Sequence, residues 1–161
     1  MQRSHGKAMV SFALRGGQVR LRDLAQSGSA KAMLPRVWGA VPEVVFLNTS
    51  GGLTGGDSLS YQMDIGAEAR ITATTQTAER AYASTGLAAD VSVRANVGQG
   101  GRLDWLPQET LIYEDAHLHR NTEIDLAEGA SCLLSEAVVL GRHAMGERPV
   151  RARFTDTRVL R

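Results

Sequence analysis

Apolar and polar residues alternate strictly along Val91-Ser92-Val93-Arg94-Ala95-Asn96-Val97, the two-residue period of a strand with one face buried. Nearer the start, Phe12 and Leu14 are separated from Val19 and Leu21 by Gly16-Gly17. That pair tolerates the positive φ angles of a tight turn, so residues 8 to 24 are expected to form a hairpin. Val44-Val45-Phe46-Leu47 is a short continuous apolar run that stops at Asn48, too short for a helix and consistent with a strand buried on both faces. Ile71 is followed by Thr72, Thr74, Thr75 and Thr77, β-branched residues that suit an extended backbone, and 71 to 77 is expected to be a strand. Only Ala78 to Ala89, interrupted by Gly86, has helix-favouring composition. The pattern therefore predicts an all-β fold with minor helix.

An internal repeat sharpens that class. Ile65-Gly66-Ala67-Glu68-Ala69-Arg70-Ile71 aligns with Val97-Gly98-Gln99-Gly100-Gly101-Arg102-Leu103 at a spacing of 32 residues, and Leu126-Ala127-Glu128-Gly129-Ala130-Ser131-Cys132 follows 29 residues later. Each copy places an apolar residue, a small-residue turn and another apolar residue that opens a strand, and the first spacing carries Gln76 onto Gln108. Recurrence at such a period is the trace of stacked layers, a solenoid or β-helix-like arrangement. Residues 64 to 75, 96 to 107 and 125 to 136 are expected at equivalent places in successive layers. No Ser, Gly or Pro linker divides the chain, so residues 1–161 are expected to form a single β-rich domain.

Charge narrows the function classes. Eighteen basic against seventeen acidic residues leave +1, and no block of five like charges occurs, so a nucleic-acid partner has no electrostatic footprint. No apolar run of seven lies within Met1 to Gly17 and none approaches eighteen anywhere, which argues against a signal peptide and a membrane-spanning helix. The single cysteine, Cys132, fits a reducing compartment, and the cytoplasm is the expected location. Cys132 lies among Ala130, Leu133 and Leu134, where a buried, inert thiol is expected. There is no Gly-x-Ser-x-Gly elbow, and Glu109, Glu114, Glu136 and Glu147 are scattered in sequence. The residues thus offer no catalytic nucleophile and no recognisable acid–base pair.

Two stretches carry candidate chemistry. Gly51-Gly52-Leu53-Thr54-Gly55-Gly56-Asp57 has four glycines in six positions, the mark of a constrained loop. It lacks the Gly-Lys-Ser/Thr ending of a phosphate loop. Asp57 either projects from a rigid turn toward a cavity or cation, or caps the turn. His117 and His119 sit two apart, so on a strand both face the same side, with Asp115 sharing it. That trio defines an alternative reading, a metal-dependent hydrolase. His5 belongs to an N-terminus expected to be disordered, and His143 sits in Gly141-Arg142-His143-Ala144-Met145-Gly146-Glu147, expected to be a turn closed by an ion pair.

Four blocks taken in order, Gly51 to Asp57, Thr74-Thr75-Gln76-Thr77-Ala78-Glu79-Arg80, Leu106-Pro107-Gln108-Glu109-Thr110 and Gly141 to Glu147, resemble the urease accessory protein D family, also called UreD or UreH. The likeness runs from about Lys7 to Arg161; Met1 to Gly6 has no recognised counterpart, and Ser50 stands where the family has Pro. The resemblance implies a β-rich fold of stacked strand layers and a maturation scaffold without turnover of its own. Such a scaffold binds apo-urease together with UreF and the GTPase UreG and assists nickel insertion. Nickel is then held only transiently, with no tightly bound cofactor. Asp57 matches the family's carboxylate after the paired glycines and Glu136 the one before the Gly-Arg segment; the resemblance makes both candidates for lining a polar nickel path, to which weak oxygen ligands are suited. Family members are considerably longer, so the chain is expected to correspond to an N-terminal portion.

Overall fold

A computed structural model describes residues 3–36, 39 and 41–161. The chain opens with an antiparallel hairpin, β1 (His5–Arg15) and β2 (Gln18–Gly28), turned by Gly16 and Gly17 at φ 57° and 75°. His5 opens β1 and lies against Ser58, so the expectation of a disordered terminus there is corrected. Next come β3 (Ala30–Met33), β4 (Glu43–Asn48), β5 (Ser58–Ile65), β6 (Arg70–Thr75), β7 (Glu79–Ala81), β8 (Ala89–Val97) and β9 (Arg102–Trp105). They are followed by β10 (Thr110–Ile112), β11 (His117–Leu126), β12 (Ser131–Leu134), β13 (Val138–Leu140) and β14 (Arg153–Leu160).

These strands wind into a β-solenoid of about four turns. One turn comprises β4, the glycine-rich loop and β5; the next three are β6–β7–β8, β9–β10–β11 and β12–β13–β14. Stacking them gives three walls, ordered β14-β11-β8-β5-β1-β2, β13-β10-β7 and β12-β9-β6-β4-β3. Pairing between successive turns is parallel in every wall, with Leu53 bridging to Ala81 where the first turn lacks its short strand. The sequence repeat is this register. Ile65 lies against Val97 and Val97 against Leu126, while Ile71 lies against Leu103 and Leu103 against Cys132. Each copy turns its corner through a left-handed residue, Glu68 at φ 58°, Gly100 at 65° and Gly129 at 68°.

Alternation sets the core. Leu59, Tyr61, Met63 and Ile65 of β5 point inward, stacked beneath Val93, Ala95 and Val97 of β8 and above Phe46, Ile71, Leu103 and Trp105 of the opposite wall. Val44 and Phe46 are fully buried whereas Val45 and Leu47 are only half-buried, so β4 has one buried face rather than two. The helix expected within Ala78–Ala89 is absent: Glu79–Ala81 is β7, and among the described residues the only helix is a 3-10 turn at His143–Met145. On β12, β13 and β14 no residue is fully buried, and Leu133, Leu140 and Leu160 are exposed. β14, β13 and β12 are the outermost strands at one end of their three sheets.

Candidate functional site

Between the walls, where the corners of β6–β7 and β9–β10 stack, the packing leaves a cavity of about 60 Å³, room for about four waters. Three of the four sequence blocks converge on it: Gly51 and Gly52, Thr75 through Arg80, and Pro107, Gln108 and Thr110 all line it. Gly52, at φ 143°, forms wall with bare backbone, since a Cβ there would lie 2.4 Å from the Tyr82 ring and 2.9 Å from the Arg80 carbonyl oxygen. The stacked corners are tied by Thr74 Oγ1 donating to the Leu106 carbonyl at 2.7 Å and by Gln108 N–H donating to Thr75 Oγ1 at 3.0 Å. Gln76 and Thr77 on one corner and Gln108 on the next are exposed and line the opening, while Trp105 and Arg120 lie deep.

Arg120 is the least expected lining residue. It sits on the inward face of β11 between Leu118 and Thr122, a guanidinium on a face otherwise suited to apolar side chains. Its Nε and Nη2 grip Asp156 at 2.9 and 2.7 Å, and Nη1 donates to Thr110 Oγ1 at 3.2 Å. Glu136, its side chain only 2% exposed, accepts from Trp105 Nε1 at 3.1 Å and Arg158 Nε at 2.7 Å and lies 3.7 Å from Arg120. Arg158 also donates to Asp156 at 2.6 Å. Two guanidiniums and two carboxylates thus neutralise one another where the fourth turn meets the third. Arg120, through its hydrogen bonds, holds the Asp156 carboxyl below its ordinary range.

A second carboxyl lines the cavity. Glu79, on β7, accepts from Asn48 Nδ2 at 3.1 and 3.2 Å and from the Arg80 N–H at 3.2 Å. Burial pushes its carboxyl above the usual carboxylate range. Burial first, and the Glu79 charge second, push the Tyr61 phenol far above its ordinary value.

The residues singled out by sequence fall in different places. Glu136 lines the cavity; Asp57 does not. Asp57 is 6% exposed, and its two oxygens accept from Ser4 N–H at 2.8 Å and Thr54 N–H at 2.9 Å, closing the glycine-rich turn and tying it to the start of β1. His117 and His119 share a face with their rings 5.0 Å apart, but His117 Nδ1 meets the Gly86 carbonyl and His119 Nδ1 lies 3.5 Å from Asp90. Asp115, at φ 57°, pairs instead with Arg151 at 3.0 Å. Among the described residues no three His, Cys, Asp or Glu side chains converge as a metal-ligand set, so the trio of the hydrolase reading is not assembled. The fourth block is a clasp: Arg142 pairs with Glu147 and stacks 4.6 Å from the Tyr113 ring. Cys132 is half-buried, and burial together with Asp104 raises its thiol.

A family model described as UreD urease accessory protein matches residues 4–161. The chain belongs to the UreD family. The match begins at Ser4, so Ser4 to Gly6 do have counterparts in the family. Among curated relatives, the urease accessory protein UreD of Cereibacter sphaeroides (strain ATCC 17029) is 64% identical over 158 residues, covering 98% of this chain and 58% of the relative. That of Paracoccus denitrificans is 53% identical over 161 residues, covering 100% of this chain and 56% of the relative. That of Chelativorans sp. is 47% identical over 156 residues, covering 97% and 56%. The chain thus spans under three fifths of the length of these UreD proteins. No helix among the described residues is long and apolar enough to cross a membrane.

Proposed function

We propose that this UreD chain acts in urease maturation as a non-catalytic scaffold, in the cytoplasm, that binds apo-urease together with UreF and the GTPase UreG and assists nickel insertion. The cation is cargo, carried transiently through the solenoid lumen rather than kept as a cofactor. One observation carries this reading: three separate family blocks meet at one polar cavity between the walls. Their meeting place is a lumen reached from solvent, lined by oxygen-bearing side chains such as Glu79, Glu136, Gln76 and Gln108, which suits passage of a cation through the protein. Glu136 forms part of the path's wall, and Asp57 holds the glycine loop that supplies bare backbone on the other side. Oxygen ligands suit this task, since they bind a borderline divalent cation weakly enough to release it. The test is nickel per urease active site after coexpression of urease with the full-length UreD protein and its partners. Loading should fall for Glu136→Gln while the complex still forms; wild-type loading in a variant carrying both Asp57→Asn and Glu136→Gln removes these residues from the path.

A further inference from the structure

The two carboxyls that line the cavity are held in opposite ways. Glu136 is already compensated, its oxygens taken by Trp105 and Arg158 with Arg120 beside them. A cation arriving there must displace a guanidinium. Glu79 has no ion pair among the described residues: its hydrogen-bond donors are neutral, and the Arg80 side chain acts on it only as a Coulombic neighbour without contact. The orientation of its main partner is determined. Asn48 Oδ1 accepts from the Ser50 N–H at 3.0 Å and from Ser50 Oγ at 2.6 Å, so the amide nitrogen has to face Glu79. Asn48 thereby presents the Glu79 carboxylate to the cavity without cancelling its charge.

A second observation points the same way. Tyr61 is 4% exposed and lines the cavity, yet its hydroxyl has no hydrogen-bond partner among the described residues. That hydroxyl opens onto the cavity and is free to bond a water or a ligand there. Gln76 and Gln108, at the opening, add amide oxygens. A carboxylate that shares a solvent-reachable cavity with neutral oxygen-bearing side chains offers donors to a divalent cation that keeps part of its water shell.

We propose that Glu79 is the carboxylate that first takes the divalent cation inside the lumen, with the oxygens of Tyr61, Gln76 and Gln108 as further donors, while Glu136, already bonded to Trp105 and Arg158, is a later part of the wall. The proposal rests on the reading of the cavity as a nickel path, and its test is direct binding, independent of urease. Tag-free full-length UreD protein is titrated with nickel sulfate by calorimetry, in the wild-type, Glu79→Gln, Tyr61→Phe and His117→Ala/His119→Ala forms. Glu79→Gln should weaken binding by about tenfold or more, since changing even the outer-shell partners of a metal's ligands costs about that much; Tyr61→Phe should weaken it less, and the histidine double variant should bind as wild type. Thermal melts guard against misfolding, because the glutamine keeps the shape of Glu79 and removes a buried charge. Wild-type nickel affinity in a folded Glu79→Gln protein, or binding lost in the histidine variant, overturns the proposal. Urease nickel loading that depends on Glu136 but not on Glu79 would overturn it too, and would leave the maturation reading in place.

Discussion

Replacing Arg120 by methionine removes the guanidinium and keeps an apolar stem for contact with Phe154, over which the Arg120 guanidinium lies at 5.4 Å. The side chain is only 6% exposed, and its loss leaves Asp156, 17% exposed, and Glu136, 2% exposed, with Arg158 as their one remaining cation. Breaking a buried pair by removing one partner costs about 3–5 kcal/mol. Because Arg158 still bonds both carboxylates and is itself 40% exposed, the lower end applies, about 3 kcal/mol, or roughly 6–12 °C in melting temperature for a chain of this size. The loss should be local before it is global. Urea unfolding at neutral pH gives the total, and hydrogen exchange should show amides of β14 losing protection first, since Arg120 ties that strand to β11. Acid gives an independent check. Arg120 lowers the Asp156 carboxyl in the folded protein, so its contribution is full above the unfolded value of about 4 and is lost as pH falls through the folded value. The variant should lack that part of the acid dependence. A cost below about 1 kcal/mol, the range of exposed pairs, with unchanged acid sensitivity would show that the network behaves as solvated surface charge.

Asp57→Asn should cost about 1–3 kcal/mol, more than a lone turn cap, because the Ser4 and Thr54 N–H groups each need an acceptor and the amide offers only one oxygen; an unchanged melt would refute this. Gly100→Ala should destabilise by about 1–2 kcal/mol from the left-handed backbone alone, read as a shift in urea midpoint. Glu79→Gln should match wild-type stability below the unfolded carboxyl value of about 4.3 and exceed it increasingly above. The sign follows from burial, which raises the folded value: the protonated form's stability is present at low pH and lost as pH rises through the folded value. Denaturation across pH 4 to 8 measures the difference, and a variant less stable than wild type at the alkaline end would contradict it.

The repeat was legible because parallel stacking leaves each turn to solve the same steric problem. A left-handed corner and flanking inward apolar residues must recur, and they do at Glu68, Gly100 and Gly129. The expected helix failed for the complementary reason. Ala78 to Ala89 has local helix propensity, but Ala81 is clamped between the bridge to Leu53 and the ladder to Ile112, and Ala83 bridges Ala116. Those pairings outweigh the few tenths of a kcal/mol per residue that propensity contributes. The hairpin and the alternation of β8 needed no such arbitration: Gly16 and Gly17 supply the turn of the first, and the inward residues Val93, Ala95 and Val97 alternate in the second as its sequence does.

The cavity was less legible, because the repeat slips where it forms. Ala73 lies opposite Trp105, but Glu79 lies opposite Thr110, one residue out of step, and Val91 lies opposite Arg120. Extending the first spacing unchanged would set Glu79 against Leu111, away from the lumen. One local signal did mark the site. Once β11 is read as an alternating strand, Leu118, Arg120, Thr122 and Ile124 share the inward face, and an inward arginine requires buried carboxylates to meet it. Those partners, Glu136 and Asp156, lie on the following turn, at offsets that no local pattern contains. Glu79 carries no such signal, since its partners are an amide and a backbone N–H. The distinction bears on mechanism. The charges that pair directly hold the turns together, and the carboxyl without an ion-pair contact is the one with capacity for a cation.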